Sequence, residues 1–197
     1  MLNLIGPYFR RLYETTGLNF NVFYDQYEFD RFITGASNSL QLIFWTLLLS
    51  LVIGVLGAWA QNARSAIVRV VMDAYIQAFR NTPPMIQLLF FFFGLGTFMP
   101  AVDMGGYSQP LITSYGWAII SLGIFGGAFN VEIFRSGLEA VPDSTLEAAE
   151  SLCFSRWQAY LYVTLPLAFR IALPALTNNL VSLAKTTSLA YVIAVPE

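Results

Sequence analysis

The feature that most constrains this chain is a series of apolar runs, almost free of charge, each long enough to cross a lipid bilayer. A helix needs about 20 predominantly apolar residues to traverse the hydrocarbon core. Residues 40–60, LQLIFWTLLLSLVIGVLGAWA, carry no charge and meet that length cleanly. Residues 81–102 are uncharged but interrupted early by Pro83 and Pro84, and residues 104–131 are uncharged again. Tyr107, Tyr115 and Trp117 near the start of that third run suit a membrane interface. Residues 157–184 hold a single charge, Arg170, and two prolines, Pro166 and Pro174. The pattern predicts four spans, near 39–61, 67–98, 113–134 and 166–187, and so an all-α polytopic membrane protein.

Composition narrows the function classes. Only 11% of the residues are charged, against about 25% in soluble domains. A net charge of -2 argues against nucleic acid as a partner, and polybasic clusters for binding a membrane surface are absent. The chain has no histidine, one lysine (Lys185) and one cysteine (Cys153), which excludes an intrachain disulfide and histidine-based catalysis or metal binding. No span holds a clustered pair of carboxylates, so a membrane-embedded enzyme has no catalytic group to work with. Lys185-Thr186 is not preceded by the glycines of a phosphate-binding loop, so the chain itself is not expected to bind ATP or any other cofactor.

Basic residues in short loops orient the spans. Arg64 and Arg69 follow the first span, the loop near 99–112 has only Asp103, and the long loop after the third span carries Arg135 and Arg156, with Arg170 just beyond. The first and third loops are therefore expected on the cytoplasmic side, with the N-terminus outside. Arg10 and Arg11 oppose that orientation and the acidic stretch 14–30 agrees with it. Residues 1–31 have no compact apolar core before a small-residue cleavage site, so no removable signal peptide is expected. They read either as an amphipathic helix on the outer face or as a poorly ordered tail. Residues 1–33 are taken as an extracytoplasmic or interfacial segment ahead of a membrane domain, 34–197.

The loop 136–165 reads SGLEAVPDSTLEAAESLCFSRWQAYLYVTL. Pro142 ends the preceding helix, and Ser144 with Glu147 predicts a capping box at the start of a new one. Ala148 and Ala149 leave one face of that helix almost bare, flanked by Glu147 and Glu150, so another protein's surface can approach closely. From the residues alone an ordinary solvated loop helix fits equally well. Residues 157–165 are amphipathic and are expected to lie along the membrane, with Pro166 in the first turn of the fourth span, where its missing N–H costs nothing.

Ionisable residues within spans are expensive and mark function by default. Candidates are Asp73, Arg80, Glu132, Arg135 and Lys185. Arg135 reads as a span-end residue that snorkels, Asp73 as an interface charge, and Glu132 with Arg135 as a pair on one helix face. Arg80 precedes Thr82-Pro83-Pro84, where the helix ladder must break. Freed carbonyls at that depth are tolerated where they line a cavity or are re-satisfied by neighbours, so a kinked helix beside a path is predicted near Pro83. Arg80, Thr82, Pro83, Asn130, Glu132, Asn178, Asn179 and Lys185 are the candidate path residues, with structural inter-helix bonds as the competing role. The aromatic run 90–93 is read as packing or lipid contact.

Several motifs, taken in order, carry a resemblance. EAA at residues 147–149, followed by Cys153 at the position of a usual glycine and by VTLP, resembles the EAA loop of permease subunits in ATP-binding-cassette importers. FRNTPPMIQLLFFFFGL, AFNVEIFRSGLEAVP and LPLAFRIALPALTNNLVSLAKTTSLAYVIAVPE resemble the polar amino acid branch of that family, over roughly residues 34–197. The resemblance implies an amino acid permease in a bacterial inner membrane. Its expected partners are membrane lipid, a second permease subunit (identical or homologous), a cytoplasmic ATPase dimer holding ATP and Mg, and a periplasmic or lipid-anchored amino-acid-binding protein. Glu147, Ala148, Ala149, Glu150, Leu152 and Cys153 are the residues it implies for docking the ATPase. In that family the pattern ending in VPE precedes one more span, so four of five core helices are expected here. The chain departs from the family at Cys153, at Ser144-Thr145 in place of Gly-Gln, and at Asn81 in place of a glycine. Cys153 predicts a looser or differently docked turn, because a glycine there permits φ > 0. A secondary transporter or channel working without an ATPase is the alternative, but it predicts inverted repeats that the two halves do not show, and it leaves the loop without a purpose.

Overall fold

A computed structural model describes residues 2–103, 105 and 108–195. The helix α1 (Leu2–Thr16) leads through a short 3-10 turn, Asn21–Phe23, to α2 (Gln26–Gln61). Of the two readings for the N-terminal segment, the structure takes the helix, held to the following turn by Phe9 against Phe23 (4.6 Å between centroids) and Arg10 over Tyr24. The Asp25 side chain caps α2 by accepting from the Tyr27 N–H at 2.8 Å, and Glu28 lies in its first turn. At 36 residues α2 is about 54 Å long, well beyond the hydrocarbon thickness. The residues before 39 therefore extend the first span without a break, and α2 passes uninterrupted through residues 33 and 34.

The expected second span is two helices, α3 (Ala66–Arg80) and α4 (Pro84–Leu89), the second prolonged by a π turn, Phe90–Leu95, and a 3-10 turn, Gly96–Phe98. A two-stranded antiparallel hairpin, β1 (Ala101–Asp103) with β2 (Ser108–Pro110), then leads to α5 (Ser114–Glu139), whose Thr113 cap accepts from the Gly116 N–H. The loop helix α6 (Asp143–Ser151) and the short α7 (Arg156–Ala159) follow. A π turn, Tyr160–Thr164, joins α7 to α8 (Leu165–Thr186), and a 3-10 stretch, Thr187–Ile193, closes the described chain. Three helical runs among the described residues are long and apolar enough to cross a membrane, Gln26–Gln61, Ser114–Glu139 and Arg156–Ile193. Pro84–Phe98 is apolar but shorter.

Helices in lipid gain little from apolar burial against one another, and close backbone approach over small residues takes its place. α5 uses this on two sides. Towards α2, a Cβ on Gly54 would stand 2.5 Å from the Asn130 Cβ, and one on Gly57 would stand 2.3 Å from a Val131 methyl. Towards α8, a Cβ on Gly126 would meet Leu183 at 2.3 Å and one on Gly137 would meet Ala172 at 2.8 Å. These pairings make α2 and α5 parallel and α8 antiparallel to α5, as spans one, three and four of an alternating chain must be. A second layer gathers Leu42, Leu88, Trp117, Ala118, Ala190, Ile193 and Val195 around the other end of the bundle. Trp117 is buried there, 4% exposed, rather than at a lipid interface, because it fills the space left by Gly96. Tyr115 is half-buried, and Tyr107 lies outside the described residues.

Gly57→Leu is expected to destabilise the folded chain by about 3 kcal/mol, since the added side chain runs into Val131 and Met72 and overpacking typically costs about 1–3 kcal/mol or more. Thermal unfolding in detergent checks this. A variant that melts with wild type would remove the close approach as the basis of the α2–α5 contact.

Candidate functional site

Pro83 and Pro84 have no N–H, so the carbonyls four residues earlier, on Phe79 and Arg80, lose their helical donors. Residues 81–83 leave helical geometry altogether, and the predicted kink is a full break between α3 and α4. Gln87 repairs it. This residue is 7% exposed, and its Nε2 donates to the Phe79 carbonyl at 2.8 Å, to the Thr82 carbonyl at 3.0 Å and to Thr82 Oγ1. Thr82 Oγ1 in turn donates to the Ala78 carbonyl at 2.8 Å. Gln87 was not among the expected residues, although it is the polar side chain of the apolar run and stands one helical turn after Pro83.

Beside the break, the Arg80 guanidinium forms an ion pair with Glu132 of α5 and lies over the Phe129 ring, 5.3 Å from its centroid. The expected Glu132–Arg135 pair does not form. Arg135 instead bonds Glu139 at 3.0 Å, one turn further along α5, because Glu132 is taken by the helix across the groove. The Arg80 and Glu132 side chains are 37% and 29% exposed, so the pair is open on one side rather than sealed. Asp73 accepts from Gln61 Nε2 at 2.9 Å and fastens α3 to the end of α2.

Asn130 is fully buried and joins three helices. Its Nδ2 donates to Ser50 Oγ on α2 at 3.2 Å, and its Oδ1 accepts from Asn179 Nδ2 on α8 at 2.8 Å. Asn179 is thus turned inward, and Asn178, one residue and about 100° away, is exposed. Lys185 is exposed two turns further along α8, without an ion pair among the described residues. The structure therefore brings Arg80, Thr82, Pro83 and Glu132 into one place and Asn130 with Asn179 into a second. Asn178 and Lys185 stay apart from both. Ser50, the α2 partner in the second group, has no distinguishing sequence signal.

In the loop, α6 begins at Asp143 behind Pro142, so Ser144 is inside the first turn and makes no cap; the predicted capping box is absent. A capping box forms at Ser155 and Gln158, where the Ser155 N–H donates to Gln158 Oε1 at 2.9 Å. α6 ends in a Schellman motif, with the Phe154 N–H donating to Ala149 and the Cys153 N–H to Glu150. This requires a left-handed residue after the cap, and Cys153 supplies it at φ 61. The turn is therefore not loosened by the cysteine; the side chain is carried into a conformation that disfavours it. Glu147, Ala148, Glu150, Leu152 and Cys153 are exposed, Leu152 at 72%, whereas Ala149 is buried at 4% against its own chain.

Residues 157–165 are not a separate surface helix. They are the opening turns of one helical run, Arg156–Ile193. Pro166 is in the first turn of α8, but helix continues upstream of it, so its missing N–H falls inside a run. The π turn at Tyr160–Thr164 takes up the mismatch.

Gln87→Leu leaves the Phe79 and Thr82 carbonyls without that donor and is expected to cost about 2 kcal/mol, from the usual penalty for an unmet buried polar group. Cys153→Gly relieves the left-handed strain and is expected to stabilise by about 1 kcal/mol. Melting temperatures of the two variants check both signs.

Residues 37–196 match the family described as the inner membrane component of binding-protein-dependent transport systems. An arginine transport system permease protein of Corynebacterium glutamicum is 33% identical over 178 residues, covering 88% of this chain and 55% of that protein. The histidine/lysine/arginine/ornithine transport system permease protein HisQ of Salmonella typhimurium is 31% identical over 158 residues, covering 80% of this chain and 69% of HisQ. This chain therefore spans little more than half of the first relative. A crystal structure of an amino acid ABC transporter with histidines aligns at a TM-score of 0.74 and 27% identity, over 91% of this chain and 79% of that one. The inward-facing methionine transporter MetNI shares the fold alone, at a TM-score of 0.60 and 19% identity, over 82% of this chain and 73% of that one. With its parallel and antiparallel glycine-packed helices and a match over nearly its whole membrane part, the chain belongs to the family of binding-protein-dependent transport system inner membrane components.

Proposed function

We propose that this chain is the membrane-spanning permease subunit of an ATP-driven importer that moves an amino acid across a bacterial inner membrane. The observation that carries the reading is the loop helix α6, which stands between two spanning helices with Glu147, Ala148, Glu150 and Leu152 exposed. It is tied at one end to α5 through residues 140–142 and at the other, through its Schellman turn and the Ser155 cap, to the helix that becomes α8. A push on α6 is thus transmitted to two spans at once. ATP and Mg belong to a cytoplasmic ATPase dimer on which α6 docks. A second permease subunit completes the path, and a periplasmic or lipid-anchored binding protein supplies the amino acid. Relatives named for arginine and for histidine, lysine, arginine and ornithine transport support an amino acid as the substrate.

The candidate path runs beside the broken helix. Arg80 and Glu132 form a pair that is open on one side, and a zwitterionic substrate has a carboxylate for one and an ammonium for the other. Thr82 and Pro83 border it, while Asn130 and Asn179 hold the three helices at a neighbouring level.

Glu147→Arg is expected to abolish co-purification with the ATPase while leaving the permease folded. Substrate flux through liposomes containing no ATPase would overturn the importer reading in favour of a secondary transporter or channel. Arg80→Ala is expected to lower uptake by about tenfold or more, about 1.4 kcal/mol in the transport barrier, with the ATPase still bound. The exchange Arg80→Glu with Glu132→Arg separates the two roles of this pair. Failure to restore uptake supports substrate contact, and full restoration identifies a structural brace.

A further inference from the structure

A cavity of about 700 Å³ lies between the loop-side ends of α2 and α5 and the start of α8. We propose that it holds an acyl chain of an anionic phospholipid drawn from the leaflet on the side of the 140–165 loop.

Depth and mouth identify lipid as the occupant. Val55, Leu56 and Trp59 lie within the last two turns of α2, and Ala168 and Phe169 lie on the first turns of α8, so the cavity is within the bilayer close to one edge. Leu56, Trp59 and Phe169 are 58%, 78% and 53% exposed. The mouth therefore opens on the hydrocarbon, and Trp59 and Tyr160 stand at the level where amphipathic rings gather. The walls are mostly apolar, with Asn62, Tyr160 and Thr164 as the residues that bring a side-chain amide or hydroxyl. Thr164 is 8% exposed and its Oγ1 has no hydrogen-bond partner. A buried hydroxyl of this kind calls for an acceptor, and the ester carbonyl at the head of an acyl chain is one.

Charge selects the lipid class. Arg64 follows Asn62 by two residues, and Arg156 precedes Tyr160 by one turn. Both are exposed, and neither has an ion-pair partner among the described residues. Asp73, the acidic residue nearest Arg64 in the chain, is engaged by Gln61, while Glu147 and Glu150 of α6, which precede Arg156, are exposed and in no ion pair among the described residues. No acidic residue lines the cavity itself, so the two arginines beside its mouth suit a phosphate. A second copy seated there about a two-fold axis would bring the same arginines against one another. A chain in this cavity touches α2, α5 and the π turn where the loop enters α8, so its presence stiffens the joint through which α6 acts.

The test is native mass spectrometry of the full-length transporter complex, exposed in detergent to phosphatidylglycerol or to phosphatidylcholine. Saturable retention of phosphatidylglycerol, at one molecule per copy of this chain, is expected, and phosphatidylcholine is expected to be lost. Arg64→Gln with Arg156→Gln, both on the surface, is expected to weaken retention by roughly tenfold or more, from two lost headgroup charges. Ala168→Phe fills the cavity and is expected to abolish it. If that variant fails to fold, the isosteric Thr164→Val serves instead, with weakened retention expected. Equal retention of both lipids, unchanged by the variants, would mean annular lipid only and overturn the proposal. So would a disulfide between two copies through Val55→Cys in a Cys153→Ala background, which would make a second copy the occupant.

Discussion

Everything in this bundle depends on how closely α5 lies against its neighbours. Two helices approach it to the point where a single methyl at Gly54, Gly57, Gly126 or Gly137 would collide with the opposing chain. In water such an interface is weak, because glycine buries almost no apolar area. In a bilayer the alternative is contact with lipid of equal polarity, so dispersion between close backbones and a few polar bonds decide association. Asn130 makes two of those polar bonds. It stands between Ser50 and Asn179 and fixes the relative height of α2, α5 and α8. The competing structural role for the buried asparagines is the one the geometry displays.

With α5 fixed, the broken helix has something to break against. Two consecutive prolines free two carbonyls, and the chain re-satisfies one of them through Gln87 rather than through water. The cost of the break is therefore partly offset locally, and α3 and α4 can each take their own direction over α5. Arg80 ends α3 at this point and reaches across to Glu132, so the charge that is hardest to place in a membrane is neutralised where the backbone is most irregular. The two π turns follow the same logic. One continues α4, and the other precedes Pro166, where it takes up the missing donor.

The loop shows how a motif persists through a substitution that opposes it. A Schellman turn needs φ > 0 after the cap, and glycine provides this without steric cost. Here Cys153 occupies the position and adopts the conformation anyway, because the two hydrogen bonds from Cys153 and Phe154 and the burial of Ala149 hold it. Local propensity is overruled by the requirement that α6 end and reverse within a few residues before α7 begins.

Three of the four expected spans, the break at Pro83 and the presence of a loop helix were legible in the sequence, because each rests on a local quantity, whereas the second expected span is divided into shorter helices. Apolar run length meets the thickness of a bilayer, proline lacks a donor wherever it stands, and an alanine-rich stretch between charged residues favours helix in any surroundings. What tertiary structure decided were the partners. Glu132 had a candidate three residues away in Arg135, and only the approach of α3 gave it to Arg80 instead. Asn178 and Asn179 are indistinguishable as residues, and the face that α8 presents to α5 turned Asn179 half-buried towards Asn130 and left Asn178 exposed. Ser144 was the expected cap, but the chain path at Pro142 started α6 two residues early, and the capping box formed at Ser155 instead. Gln87 stood unremarked in an uncharged run and Trp117 was read at a membrane interface until neighbouring helices enclosed them. Pairings of this kind depend on distances between segments far apart in the chain, and no periodicity along one segment encodes them.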